Sequence, residues 1–116
     1  MELMINDKTY NFVFGVKFVR ELDINMPIKS EGVEFGFGLA ARVIPELQGF
    51  NINTLSKVLY YANRTESPKL TQNDIDNFID QHEDIEQLFD EVLTALSESN
   101  SGKLALKKFK ENLTKQ

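Results

Sequence analysis

Apolar residues recur at helical spacing through the second half of the chain, and this pattern constrains the fold most. Between residues 71 and 96 they return every three or four positions, with acidic residues between them. Thr71 followed by Asp74 is an N-terminal capping signal. The pattern predicts amphipathic helices that bury one face, as one long helix or two joined near His82–Asp84. The apolar positions are Ile75, Phe78, Ile79, Ile85, Leu88, Phe89, Val92 and Leu96.

Two earlier helices are predicted in the middle of the chain. An apolar stretch from about Phe35 indicates the first, and Pro45 bends or ends it because an internal proline removes a backbone hydrogen bond. The second is capped by Asn51 or Asn53, whose side chains can accept from free backbone N–H groups. It runs to about Asn63.

The N-terminus has the pattern of a β-hairpin. Apolar residues alternate with polar ones over residues 2–14, and Asn6-Asp7 supply the turn. The apolar positions are Leu3, Ile5, Tyr10, Phe12 and Phe14. A helix at about 16–24 follows. The predicted fold class is therefore α+β, an N-terminal β-hairpin followed by a mainly α-helical domain of about four to six helices.

The C-terminal residues differ from the rest in composition. Ser97–Gly102 is predicted as a breaker, and residues 103–116 form a basic amphipathic segment with Leu106, Phe109 and Leu113 on one side. We predict a single domain over 1–99 and a basic, flexible tail over 100–116. The tail has three interpretations: a disordered end, a helix folded back on the acidic segment, or a partner-binding helix.

Charge is divided unevenly along the chain. The formal net charge of −5 divides into 0 over residues 1–64, −9 over 65–99 and +4 over 100–116. The acidic block repels phosphate backbones, so we predict no nucleic-acid binding. No apolar run is long enough for a signal peptide or a membrane span, and the absence of cysteine fits a reducing cytoplasm. We predict no membrane association.

No catalytic, cofactor or metal site is predicted. His82 is the only histidine and there is no cysteine, so the usual nucleophile–base pairs are missing. The acidic residues of 74–91 lack the glycine-centred spacing of a calcium loop. Gly32, Gly36 and Gly38 lack the lysine of a phosphate-binding loop.

Adjacent tyrosines suggest a protein contact. On a helix Tyr60 and Tyr61 point about 100° apart, so only one can face the core squarely. The other is a candidate contact residue, and Leu106 and Phe109 of the tail are two more.

Two stretches resemble the phage tail assembly chaperone family of Gram-positive siphophages. The first is MELMINDKTYNFVFGVKFVRELD at residues 1–23, and the second is DIDNFIDQHEDIEQLFDEVLTALSES at 74–99. In the first, strand, turn and strand lead into Phe14-Gly15 and a helix ending at Arg20–Asp23. In the second, a capped helix and an acidic joint precede a leucine- and phenylalanine-rich helix. The middle of the chain departs from the family's more continuously apolar pattern.

The resemblance implies a non-catalytic role without a cofactor. Such proteins hold the tape-measure protein in soluble form, help recruit tail-tube subunits and leave before the virion is complete. The expected location is the cytoplasm of the bacterial host. Self-association is also implied, and the edges of the hairpin offer one way for copies to join. The alternatives are a head–tail or DNA-packaging accessory protein and, less favoured by the residues, a hydrolase or metal enzyme.

Overall fold

A computed structural model describes residues 1–26 and 39–114 of the chain. Within these residues a two-stranded antiparallel sheet precedes a π-helical turn and six α-helices, which confirms the α+β prediction. The elements are β1 (Glu2–Ile5), β2 (Lys8–Asn11), α1 (Val16–Asn25), the π-helix (Leu39–Val43), α2 (Ile44–Gln48), α3 (Ile52–Asn63), α4 (Gln72–Gln81), α5 (Ile85–Glu98) and α6 (Asn100–Thr114).

The hairpin has the turn that its sequence predicts. Asn6 and Asp7 have φ of 52° and 64°, and this left-handed pair gives the tight turn that suits the twist of two antiparallel strands. Leu3 and Ile5 are buried, as expected for one face of β1. β2 ends at Asn11, so the buried residues Phe12 and Phe14 follow the strand instead of belonging to it.

Helix α3 contributes one complete face to the core. Its apolar residues at i, i+3, i+4 and i+7 are each at most 1% exposed. They are Leu55, Val58, Leu59 and Ala62. Asn51 caps this helix through its side chain, which accepts from the Thr54 N–H at 3.0 Å. Burying such a face, rather than intrinsic helix propensity, provides most of the stability of a helix this short.

The predicted end of a helix at Pro45 is wrong, since α2 continues to Gln48. Pro45 lies in the first turn of α2, where the backbone changes from π-helical to α-helical geometry. Proline is tolerated there because first-turn N–H groups have no acceptor within the helix. The predicted start at Phe35, and the glycines at 32, 36 and 38, lie outside the described residues.

The acidic region forms two helices with a joint at residues 82–84. At the start of α4, the Thr71 side chain accepts from the Asp74 N–H at 3.0 Å, and the Asp74 carboxylate accepts from the Thr71 N–H at 2.9 Å. This capping box was predicted from the sequence. Asp84 caps α5 by accepting from the Gln87 N–H.

The capping box makes the free energy of unfolding depend on pH in acidic solution. Hydrogen bonds from the backbone and side chain of Thr71 lower the pKa of Asp74 below its usual 3.8. The contribution is complete about one pH unit above the unfolded-state pKa and is lost as pH falls through the lower folded-state pKa. We expect Asp74→Asn to flatten the loss of stability between pH 5 and pH 2, measured by urea unfolding. Asp80→Asn, an exposed position later on α4, is the matched control and should retain the wild-type slope.

A buried asparagine joins the end of α3 to two other segments. Asn63 is fully buried, and its side-chain amide donates to the Asn11 carbonyl at 3.1 Å and to the Pro68 carbonyl at 3.2 Å. Its side-chain oxygen accepts from the Leu70 N–H at 2.7 Å. One side chain therefore provides hydrogen-bond partners for a backbone carbonyl at the end of β2 and for two backbone groups of the α3–α4 connection.

A helix break was predicted over Ser97–Gly102, but in the structure only Ser99 lies between two helices. α5 ends at Glu98 and α6 begins at Asn100, and the Ser99 hydroxyl accepts from the Gly102 N–H at 3.0 Å. Serine, asparagine and glycine favour helix caps as well as loops, and here they start a helix. α6 extends to Thr114, with Ala105 buried against the core. The division into a domain over 1–99 and a tail over 100–116 stays a prediction.

Candidate protein-binding surface

The two tyrosines pack together on α3 and are both half-buried. Their rings meet edge to face with centroids 5.3 Å apart, and the Arg64 guanidinium lies 4.3 Å from the centroid of Tyr60. Burial, then Tyr60 and Glu21, raise the pKa of Tyr61 above its usual 10.0, so its phenol stays neutral at physiological pH. Each ring thus shares its surface between the core and solvent.

The predicted contacts of the C-terminal segment lie on α6. Leu106 and Phe109 are half-buried and pack against the core, and the main neighbours of α6 are α5 and the π-helix. The fold therefore uses part of these two side chains internally. Leu104 stands 58% exposed on the same helix. Tyr60 and Tyr61 belong to α3, so the structure places the two predicted pairs on different helices.

A groove runs between α5 and the segment that follows β2. Its volume is about 620 Å³, and one wall is formed by Met1 and Phe12–Phe14. The opposite wall is a single stripe of α5 and its C-cap Ser99, because the lining residues recur at intervals of three and one. They are Gln87, Asp90, Glu91, Thr94, Ala95, Glu98 and Ser99. This wall is about 18 Å long, since a helix rises 1.5 Å per residue. We call this cavity the α5 groove.

A second cavity of about 570 Å³ adjoins the α5 groove at Gln87, which lines both. It lies between the hairpin turn and the joint of α4 and α5, and we call it the turn cleft. Its apolar lining includes Met4, which is 67% exposed, and Phe78. Together the two cavities extend along one side of the hairpin.

The two cavities share a single sign of side-chain charge. Six carboxylates line them and no lysine or arginine does. The carboxylates belong to Asp74, Glu83, Asp84, Asp90, Glu91 and Glu98. The amino group of Met1 lies at the groove, where it donates to the Phe12 carbonyl at 3.1 Å. The α5 groove combines one apolar wall, of Met1 and Phe12–Phe14, with an acidic wall on α5, and this suits a ligand that is both apolar and cationic.

The residues of the α5 groove were not predicted from the sequence. A weak signal was present, because the outward side of α5 carries Thr94 and Ala95 among its acids instead of being charged throughout. Nothing in the sequence indicated that Val13 would stand opposite this stripe, 46% exposed. That proximity depends on how the hairpin packs on α5.

A metal-binding cluster and a membrane-spanning helix are both absent from the described residues. Among them, no group of three or more His, Asp or Glu side chains is placed to hold a metal ion. No described helix is long and apolar enough to cross a membrane. His82 lies at the joint of α4 and α5, where its ring contacts Phe78 edge to face at 5.3 Å.

Comparison with known proteins gives one family. The sequence model described as "Phage tail assembly chaperone protein, TAC" matches residues 2–111, nearly the whole chain. No curated protein and no solved structure gives a significant match. Apart from Met1, the match includes both stretches that carried the resemblance, and it extends through most of α6. The chain therefore belongs to the phage tail assembly chaperone family and has a role in phage tail assembly.

Proposed function

We propose that this protein binds the tape-measure protein, holds it in soluble form and helps to recruit tail-tube subunits. The family match over residues 2–111 carries the proposal. A chaperone for a long helical client needs apolar grooves for amphipathic helices and a charged exterior that keeps the complex dissolved. The α5 groove and the −9 block of residues 65–99 meet these two requirements.

The proposal includes where and how the protein acts. It works without catalysis or a cofactor in the cytoplasm of the bacterial host, and it leaves the tail before the virion is complete. Copies join one another through the free edges of the hairpin. Tyr60, Tyr61, Leu106 and Phe109 contribute the exposed parts of their side chains to contacts with the client or a neighbouring copy.

Affinity purification tests the proposed partner. The tagged protein is expressed with its neighbouring phage genes, and the proteins retained at moderate salt are identified by mass spectrometry. A long, helix-rich tape-measure protein is the expected partner, with tail-tube protein in smaller amounts. Retention of DNA alone would contradict the proposal and support the head–tail or DNA-packaging alternative, since electrostatic DNA binding weakens steeply with salt.

A further inference from the structure

We propose that the α5 groove binds a basic amphipathic helix of the client, with the helix's apolar stripe on the wall formed by Met1 and Phe12–Phe14 and its lysines or arginines against the acids of α5. The inference rests on the proposed function for the identity of the client. Three features of the groove support the binding of a basic helix: the shape of the groove, its apolar wall and its charge.

Shape favours a helix as the ligand. The α5 wall is a straight stripe about 18 Å long, which corresponds to about twelve residues or three turns of a partner helix. Side chains of two helices pack as ridges into grooves along such a stripe. Thr94 and Ala95 have small side chains between the acids on this face, so the partner's apolar residues can approach the α5 backbone there.

Apolar area is available on the opposite wall. Val13 is 46% exposed, and Met1 is partly exposed beside the buried rings of Phe12 and Phe14. Backbone N–H groups of this wall are already used internally, because Phe12 donates to the Met1 carbonyl and Val13 to the Ala62 carbonyl, each at 2.8 Å. These two groups are therefore unavailable to an added β-strand, and side-chain contact with a helix uses the wall better.

Charge selects a cationic partner. Asp90, Glu91 and Glu98 are exposed along the α5 stripe and line the groove, and the acids of the turn cleft continue the same sign beyond Gln87. The cationic residues of α6 are not used here. Among the described residues, Lys103 and Lys107 make no ion pair with the acids of α5. The acids of α5 are therefore available to charges from a second molecule.

A pair of designed peptides tests the proposal on the full chain. The first is a 15-residue helix with leucine on one stripe and lysine elsewhere, and the second replaces every lysine with glutamate. Binding is followed by fluorescence anisotropy of labelled peptide at physiological salt. We expect the lysine peptide to bind and the glutamate peptide to bind at least about tenfold more weakly, because like charges oppose docking. Equal binding of the two peptides would overturn the proposal.

Three variants locate the binding site. The rim variant Glu91→Lys/Glu98→Lys reverses two groove charges, and the control Asp80→Lys/Glu86→Lys makes the same charge change at exposed acids outside both cavities. We expect at least about tenfold weaker binding of the lysine peptide by the rim variant and less than about threefold by the control. Equal weakening would indicate long-range attraction alone and overturn the proposal. Val13→Asn should weaken binding of the lysine peptide severalfold while leaving the thermal midpoint of unfolding near that of the wild type. Unchanged peptide binding would show that the apolar wall does not contact the ligand.

Client capture separates failure of this inference from failure of the proposed function. If the wild type retains the tape-measure protein and the rim variant does not, the groove is the client site. If both retain it equally, the inference fails and the proposed function stands. If the wild type retains no client, the proposed function fails and the peptides alone decide whether the groove binds basic helices. Light scattering tests a second copy of the chain as the ligand of the groove. If the wild type forms oligomers and the rim variant is monomeric, the basic α6 of a second copy occupies the groove, and the proposal of a client helix is overturned.

Discussion

Replacing Asn63 with alanine is expected to lower the free energy of unfolding by about 3–4 kcal/mol, the largest effect of any single polar substitution that we propose. The change removes three hydrogen bonds at a fully buried site and leaves two carbonyls and the Leu70 N–H without partners. The Leu70 N–H is buried, and leaving it unsatisfied costs about 1–3 kcal/mol. The two carbonyl bonds are part-buried, so water replaces them in part and each contributes about 0.5–1 kcal/mol. Urea unfolding followed by circular dichroism measures the loss.

Two further variants sharpen this prediction. Asn63→Asp keeps the size and the acceptor for Leu70 but places a carboxylate against the carbonyls of Asn11 and Pro68, so we expect a loss at least as large as that of alanine. Asn73→Ala, at an exposed position of α4, should change stability by less than about 0.5 kcal/mol. A loss below about 1 kcal/mol for Asn63→Ala would show that its three bonds do not hold the α3–α4 connection in place.

Gly102→Ala is expected to separate α6 from the rest of the domain. A β-carbon at this position would lie 1.7 Å from the Leu96 carbonyl oxygen and 2.8 Å from the Ser99 hydroxyl oxygen. The Leu96 oxygen belongs to the backbone, so it cannot turn aside as a side chain can. Overpacking of this kind typically costs 1–3 kcal/mol, and we expect about 3 kcal/mol here because the contact is so short. Urea unfolding measures the change in stability.

Trypsin digestion tests the separation of α6 directly. Lys103 and Lys107 lie on the helix that should be released, so cleavage there should become much faster in the Gly102→Ala variant while the remaining chain stays resistant. Ser101→Ala, at the adjacent half-buried position, is the matched control and should be cleaved at the wild-type rate. Wild-type stability and cleavage in Gly102→Ala would contradict the close approach of α6 to the end of α5.

The sequence predicted the structural features that are determined by residues close together in the chain. The capping box of Thr71 and Asp74, the Asn6-Asp7 turn and the buried face of α3 each depend on residues within a few positions of one another. Elements that depend on distant contacts were harder to predict. Of the two outcomes predicted for Pro45, the end of a helix is wrong, because a proline is equally compatible with a first turn and with a helix stop.

The C-terminal segment illustrates the same limit. Ser99 and Gly102 have the composition of a loop, but Ser99 caps α6 and Gly102 fits against the Leu96 carbonyl. Only the position of α5 determines which of these roles they take. The α5 groove is also a product of tertiary packing, since Val13 is separated from the facing residue Asp90 by most of the chain. For the candidate surface, the sequence therefore indicated acidic character and left the groove undetected.

The solubility of the client tests the central proposal most directly. The tape-measure protein is expressed alone, with this protein, and with its Glu91→Lys/Glu98→Lys variant, and the soluble fraction is measured after centrifugation. We expect the client to aggregate alone, to stay mostly soluble with the wild-type chain and to return largely to the pellet with the rim variant. A client that is equally insoluble with and without the wild-type chain would contradict the chaperone function.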